Sequence, residues 1–354
     1  MPSSTDLIAF GIALVASLGL TIPVRRLALR YGMVDLPGPR KVHVKPIPLL
    51  GGIAIYLGFV LAILLTRHAL PQQQIVGILA GATLVAFVGI LDDGGLLHHQ
   101  VKLFVGMPIA AVFLMASGIR AQVFSQFLPG RVGLALDIAA TLFWVVGITA
   151  SFSILDHMDG LCAGIAAVAA FFFTLSASMS GQLMVRTLGA ASVGAALGFL
   201  RWNFNPAKIF MGDGGAMLLG FLMATLGLKV RPEGASSLVT CLVPVLILGV
   251  PIFDTTLVSI SRARRGLLPF TSPGKDHTAH RLANLGLGHR GAVLVLYASA
   301  AVCGVAGLTI PYLSAQKAYL LAALAILLVL AAVFLLENAP YERQAKLQKS
   351  SSAP

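Results

Sequence analysis

The stretch QIVGILAGATLVAFVGILDDGG, residues 74–95, runs to Leu91 without a charged residue and then ends in two aspartates and two glycines. An apolar run of roughly 20 residues is long enough to cross the hydrocarbon core of a bilayer as a helix. Similar apolar runs alternate with short polar connections along most of the chain. The sequence therefore predicts an all-α fold, a polytopic bundle of transmembrane helices.

The composition indicates that lipid is the solvent of this chain. Of its 354 residues, 57% are hydrophobic and 11% are charged, and the mean hydropathy is +0.90. A soluble domain is far more charged. The 25 Lys and Arg residues outnumber the 13 acidic ones. No basic run with interleaved aromatic residues is present, so nucleic acid is not expected as a partner.

The lengths of the apolar runs place about eleven spans, with ten as the alternative. Residues 1–336 are expected to form one integral-membrane domain. Residues 337–354 form a polar tail that we expect to be disordered. The predicted spans are 7–24, 49–66, 74–91, 103–117, 135–155, 161–180, 183–200, 214–229, 237–260, 290–312 and 317–336.

The charges around the spans predict their orientation. Asp6 precedes the first apolar run, and Arg25 and Arg26 follow it, so we expect a retained first span with the N-terminus outside. The C-terminus is then cytoplasmic. The inside loops, Arg290 beside the last of them, and the tail hold 18 of the 25 Lys and Arg residues, which fits the excess of positive charge on cytoplasmic loops. These loops are 25–48, 92–102, 156–160, 201–213 and 261–289.

Carboxylates gather at the inside ends of the spans. An ionisable group at membrane depth costs at least ~2.5 kcal/mol on insertion scales, and such groups usually have a function. Each one alone could be a helix-end charge facing water, but their convergence on one face favours a site. They include Asp92 and Asp93, Asp156 and Asp159, and Asp213.

Two of these segments point to a divalent cation. Asp156 and Asp159 are three residues apart, which places them on one helical face, where two like charges need a cation or a donor between them. A hard ion with oxygen ligands, such as Mg²⁺, meets that need. Asp213 lies between glycines before the eighth span, where backbone N–H groups favour an anion. A helix cap and a plain structural turn are the alternatives.

A histidine pair lies in the last large inside loop. His277 and His280 are three residues apart and could face one site, where imidazole binds phosphate or a nucleotide or holds a carboxylate. A zinc pair is the competing interpretation, although no cysteine ligand and no HExxH pattern supports it. The third interpretation is that the two histidines lie in a solvated loop and bind nothing.

Taken in order, these segments resemble the polyprenyl-phosphate N-acetylhexosamine-1-phosphate transferase family, and the resemblance covers about residues 33–297. The PIPLLGG form looks more like the branch that uses UDP-N-acetylglucosamine than the phospho-MurNAc-pentapeptide transferase branch, which is the alternative. The matching elements are DLPGPRKVH (35–43), PIPLLGG (46–52), Asp92-Asp93 with Lys102, DHMDGL (156–161), Asn203 to Asp213, and HTAHRL (277–282). Three positions depart from the family: Ala150 and Ser153 replace the usual asparagines, and Ala279 replaces a histidine.

The resemblance implies an enzyme in which a polyprenyl phosphate attacks the β-phosphate of a UDP-N-acetylhexosamine. The products are a polyprenyl-diphosphate-sugar and UMP, in the first membrane step of cell-envelope polysaccharide synthesis. It also implies the bacterial inner (plasma) membrane, with the active site facing the cytoplasm and a homodimer left open. A membrane transporter or flippase and an inactive homologue are the alternatives from other classes.

The resemblance also implies roles for individual residues. The implied metal ion is Mg²⁺, or alternatively Mn²⁺, held by Asp213, Asp156 and Asp159. The implied catalytic residues are Asp92, Asp93 and Asp213. Substrate binding is implied for Arg40, Lys41, His43, Lys45, Lys102, Asn203, His277, His280 and Arg281.

Overall fold

The computed structural model describes residues 4–37, 46–97, 99–267 and 274–339, and these are almost entirely helical. Two π-helical turns, Lys102–Gly106 and Ala283–Leu287, lead into the helices that begin at Met107 and Gly288. Strands β1 (Val34–Asp35) and β2 (Ile47–Pro48) pair antiparallel, with Val34 opposite Pro48. The all-α prediction is confirmed. The helices are α1 Ser4–Arg30, α2 Gly51–Thr66, α3 Gln72–Asp93, α4 His99–Val101, α5 Met107–Ala116, α6 Arg131–Leu155, α7 Leu161–Met179, α8 Leu183–Asn203, α9 Gly212–Lys229, α10 Ser237–Ile247, α11 Gly249–Arg264, α12 Thr278–Leu282, α13 Gly288–Thr309 and α14 Ala315–Glu337.

Each predicted span falls on a helical part of the chain. Among the described residues, seven helical segments are long and apolar enough to cross a membrane, and there are eight if the bent pair α10–α11 is one span. Helix α2 and the segment Lys102–Ala116 are apolar but shorter. A multi-pass membrane protein is thus confirmed, whereas the count of eleven and the sidedness stay predictions.

The predicted span 237–260 is bent rather than one straight helix. The chain forms α10 and α11 there, and the two helices are bent by 75°. Pro251 explains the break, because a proline ring collides with the carbonyl four residues earlier and provides no N–H group. That carbonyl belongs to Ile247, the last residue of α10.

The two ends of α1 mark the two ends of the bundle. Near its start, Asp6 forms an ion pair with Arg186 of α8 at 2.5 Å and accepts a hydrogen bond from Thr187. Near its end, the Arg25 Nε donates to the backbone carbonyl of Lys208. At 1.5 Å per residue the 27-residue helix separates these contacts by tens of ångströms. The predicted inside loop 201–213 therefore lies at the end opposite Asp6.

Helix α9 forms the centre of the bundle and packs against α3 and α6. All its residues except Asp213 and Lys229 are buried. The approach of α3 to α9 needs glycine, because a Cβ atom on Gly89 would lie only 2.4 Å from the backbone nitrogen of Gly214. This contact places the C-terminal end of α3 beside the N-terminal end of α9.

Candidate active site

Two carboxylates and one ammonium group meet where α3 ends and α9 begins. The Lys102 Nζ, in the π-helical turn before α5, lies 2.7 Å from the Asp92 Oδ2 and 2.6 Å from the Asp213 Oδ2. All three side chains keep a small exposed fraction, 13–25%. The cluster is thus open to a ligand, and a positive charge already lies between its two carboxylates.

Asp93 has a different role from its neighbour Asp92. Its Oδ1 accepts the backbone N–H of Asp213 at 2.9 Å, and its Oδ2 accepts that of Gly214 at 3.2 Å. These N–H groups have no partner within α9, and a carboxylate is the group that favours a helix N-terminus. Gly212 makes room, since its φ is +69° and an added Cβ would lie 2.3 Å from Asp93. Asp93 therefore fixes the position of Asp213.

Ser153 is a site residue that the sequence reasoning missed. Its Oγ donates a short hydrogen bond to the Asp213 Oδ1, so the two oxygens of Asp213 are held by Ser153 and Lys102. The family pattern places asparagine at this position, and the sequence alone marked Ser153 only as a departure. The signal that could have identified Ser153 is a polar side chain that faces inward, two residues before the end of α6.

Asp156 follows the last residue of α6 and faces the same cluster. Its pKa is raised well above the usual value, first by burial and then by the charges of Asp213 and Asp93. Its carboxylate accepts no hydrogen bond from the described part of the chain. A cation beside Asp156 would offset both the cost of burying its charge and its repulsion by Asp213 and Asp93.

Asp159 and Asn203 hold the loop before α9. The Asp159 Oδ2 accepts hydrogen bonds from the Asn205 side chain and the Ala207 backbone. The Asn203 amide accepts from the Gly160 N–H and donates to the Ile209 carbonyl, both at 3.0 Å, and it is 2% exposed. Both ends of the Asn203 amide thus bond to the backbone, and its predicted contact with substrate stays a prediction.

The assumption that Asp156 and Asp159 share a helical face is also wrong. Residues 156–160 form a non-helical connection between α6 and α7. The two carboxylates are near enough for the charge of Asp159 to help raise the pKa of Asp156. The described contacts of Asp159 are structural, and its role as a metal ligand stays a prediction.

A second polar cluster lies beside the first and contains three imidazoles. The Asp254 carboxylate, buried in α11, lies 2.9 Å from the His277 Nδ1 and accepts the Thr278 N–H at 2.7 Å. The His157 ring stacks on His277 with centroids 4.0 Å apart, and its centroid is 4.9 Å from that of His280. His157, which the sequence reasoning did not select, thus joins the predicted pair.

Arg281 is bonded to the protein itself, and its predicted contact with substrate stays a prediction. Its side chain is 0% exposed, and it donates to the Asp276 carbonyl, the Ser261 hydroxyl and the Glu337 carboxylate. A guanidinium buried among these acceptors ties the segment before α12 to α11 and to the end of α14.

Asp276 belongs to the same structural network. It forms ion pairs with Arg262, whose Nη2 lies 3.1 Å away, and with Arg265. Burial alone would raise the pKa of Asp276, but the hydrogen bonds from the two arginines outweigh it and hold the pKa at about 2. The carboxylate is therefore charged at neutral pH and fixes the loop.

The remaining predicted basic residues cannot be placed. Arg40, Lys41, His43 and Lys45 lie outside the described residues. Lys102 is the predicted phosphate-binding cation that the structure places at the site, and there it bridges Asp92 and Asp213. The site thus joins oxygen ligands suited to a hard cation with cationic and imidazole groups suited to phosphates.

The chain is similar in sequence to proteins of one enzyme family. The model of "Glycosyl transferase family 4" matches residues 75–231. A probable undecaprenyl-phosphate N-acetylglucosaminyl 1-phosphate transferase of Bacillus subtilis is 37% identical over 82% of this chain and 80% of its own length. The decaprenyl-phosphate N-acetylglucosaminephosphotransferase of Mycolicibacterium smegmatis is 34% identical over 77% and 74%. The undecaprenyl-phosphate alpha-N-acetylglucosaminyl 1-phosphate transferase of Escherichia coli K12 is 28% identical over 87% and 84%.

Proposed function

The chain belongs to glycosyl transferase family 4, and we propose that it transfers N-acetylglucosamine 1-phosphate to a polyprenyl phosphate. The relatives from Bacillus and Mycolicibacterium carry this activity in their names and align with most of the chain. The observation that carries the proposal here is the convergence of Asp92, Lys102 and Asp213 at one end of a membrane bundle. A lipid phosphate can reach such a place from the bilayer surface.

The donor in this proposal is UDP-N-acetylglucosamine. An oxygen of the lipid phosphate attacks the β-phosphorus, the bond from that phosphorus to the bridging oxygen breaks, and UMP leaves. One diphosphate replaces another, so the reaction is near balanced, and the protein mainly positions anions and neutralises charge. Direct attack suffices because the lipid phosphate is already an anionic nucleophile.

The residues at the site divide this work. Lys102 neutralises charge on the phosphates, and Asp92 beside it orients the lipid phosphate and accepts its proton. Asp93 holds the start of α9 in place through two backbone hydrogen bonds. His277 and His280 are proposed to face the donor diphosphate, with Arg40, Lys41, His43 and Lys45 near the phosphates.

A divalent ion, Mg²⁺ or alternatively Mn²⁺, fits the carboxylates that converge here. The cluster already accommodates the Lys102 ammonium between two carboxylates, and Asp156 has no hydrogen-bond donor among the described residues. Asp213 and Asp156 would hold the ion, with Asp92 nearby. When bound, it would act as a Lewis acid on the donor diphosphate. The excess of basic residues on the predicted inside loops supports a cytoplasmic site in the bacterial inner membrane.

The test is release of UMP from UDP-N-acetylglucosamine by the purified full-length protein with a polyprenyl phosphate and Mg²⁺. We expect Asp213→Asn to abolish turnover with an unchanged melting temperature. Glu233→Gln, which removes an exposed carboxylate from the loop after α9, is the matched control and should stay active. Full activity of Asp213→Asn would refute the assignment of the site.

A further inference from the structure

The three imidazoles beside the carboxylate cluster lie close to one another. Their ring centroids are 4.0 Å apart for His157 and His277, 4.9 Å for His157 and His280, and 6.3 Å for His277 and His280. Three imidazoles bound to one tetrahedral ion through bonds of about 2.0–2.1 Å have centroids about 5 Å apart. The His157–His280 separation matches that value, whereas the stacked His157–His277 pair is closer and the His277–His280 pair is wider.

The hydrogen bonds of the first two histidines fix which ring nitrogen carries the proton. The His157 Nδ1 lies 3.2 Å from the Ile154 carbonyl oxygen, which can only accept, so this nitrogen carries the hydrogen. The His277 Nδ1 is bonded in the same way to the Asp254 carboxylate. In both rings the Nε2 therefore keeps its lone pair free, which is the form of imidazole that binds a metal ion.

One of these lone pairs is buried without a partner. Within the described residues, the His157 Nε2 is inaccessible to solvent and has no hydrogen-bond donor. A buried polar atom left in this state destabilises the fold, so a native structure normally provides a partner for it. An imidazole whose second nitrogen donates to a carboxylate or a carbonyl is also the usual arrangement around a bound metal.

From these observations we propose that His157, His277 and His280 form a site for a transition-metal ion of the Zn²⁺ class, with Asp254 orienting His277. The ligand atoms of His157, Asp254 and His277 already lie within 4.8 Å of one another. Nitrogens on one tetrahedral ion are about 3.3 Å apart, so binding draws the ligand nitrogens together and opens the His157–His277 stack.

This site differs in chemistry from the one at Asp213. Imidazole nitrogens suit Zn²⁺ and its neighbours in the transition series, whereas Mg²⁺ takes oxygen ligands. The ion would join the connection after α6, which carries His157, to the segment that leads into α13. It would thereby fix His277 and His280 beside the active site and stabilise the protein. With one ring nitrogen on Asp254 and the other on the ion, His277 would not contact the donor diphosphate directly.

The experiment uses tag-free, full-length protein in detergent, stripped with a chelator and titrated with Co²⁺ as a spectroscopic probe. We expect the visible absorption of tetrahedral Co²⁺ at one ion per chain, lost on addition of Zn²⁺ and retained in excess Mg²⁺. Zn²⁺ should also raise the melting temperature, since a ligand bound only by the folded state stabilises it.

Variants test the assignment without any activity measurement. His157→Gln and, separately, His280→Gln should lose the Co²⁺ absorption. His68→Gln and Asp213→Asn should keep it, since His68 lies in the turn after α2 and Asp213 belongs to the carboxylate cluster. The proposal is overturned by the absence of the tetrahedral spectrum, by its persistence in both histidine variants, or by its loss in Asp213→Asn. Loss in Asp213→Asn would leave the proposed transferase function standing.

Discussion

Replacing Ser153 with alanine should weaken the transferase through Asp213. The Ser153 hydroxyl donates to the Asp213 Oδ1, while the Lys102 Nζ holds the Oδ2 at 2.6 Å. Without the hydroxyl, one oxygen of Asp213 loses its donor and the carboxylate can rotate about its last side-chain bond. The ligand proposed for the divalent ion is then no longer fixed in one orientation.

The size of the effect follows from the strength of this hydrogen bond. A hydrogen bond to a charged group contributes roughly 1.5–3 kcal/mol, and every 1.4 kcal/mol is a factor of ten. The Asp213 side chain is 25% exposed, so water replaces part of what is lost. We therefore expect the lower end of the range, a decrease in kcat/KM of about 10- to 30-fold, together with a higher Mg²⁺ concentration for half-maximal UMP release.

Two further variants separate this role from a general effect on helix α6. Ser153→Thr keeps the hydroxyl and should restore most of the activity. Ser151→Ala removes a hydroxyl that, among the described residues, donates a hydrogen bond to the Gly147 carbonyl of the same helix. This variant should leave the Mg²⁺ dependence unchanged. Wild-type kcat/KM and Mg²⁺ dependence in Ser153→Ala would refute the reasoning, as would an equal loss in Ser151→Ala.

Two predictions concern stability. The pKa of Asp276 is lowered from 3.8 to about 2 in the folded state, because Arg262 and Arg265 outweigh its burial. The contribution of the Asp276 carboxylate to the free energy of unfolding is therefore complete above pH 4 and lost towards pH 2. The difference in melting temperature between wild type and Asp276→Asn should shrink from pH 6 to pH 3. An unchanged difference contradicts this. Gly89→Ala places a Cβ 2.4 Å from the α9 backbone and should lower the melting temperature, whereas Gly147→Ala, with nothing within 4 Å, should not.

The sequence predicted the helices well because each span must satisfy its own backbone in lipid, so a local apolar run is enough to define it. All eleven predicted stretches are helical, but the length of the apolar run did not reveal the bend within 237–260. Pro251 is present in the sequence, and its collision with the Ile247 carbonyl could have placed the break. The number of membrane crossings is harder to predict, because short buried helices such as α2 need not span the bilayer.

The site was predicted by residue type but only partly by role. Asp92 and Asp213 do meet, and Asp156 faces the same cluster. Motif order says nothing of side-chain direction, however, so Asn203 and Arg281 were assigned to substrate although they bond to the protein itself. His157 was missed for the same reason, since only the packing of the segment before α13 against the α6–α7 connection brings it to His277.

The packing of α3 on α9 explains why residues 120 positions apart form one site. Gly89 lies one turn before Asp93, and its lack of a side chain lets the backbone at Gly214 approach. At that separation Asp93 reaches the first N–H groups of α9, and Asp92, about 100° further round the helix, faces Lys102. A larger residue at position 89 would lengthen these contacts together. The glycine in the turn before the paired aspartates thus determines the geometry of the candidate site, although it bears no chemical group.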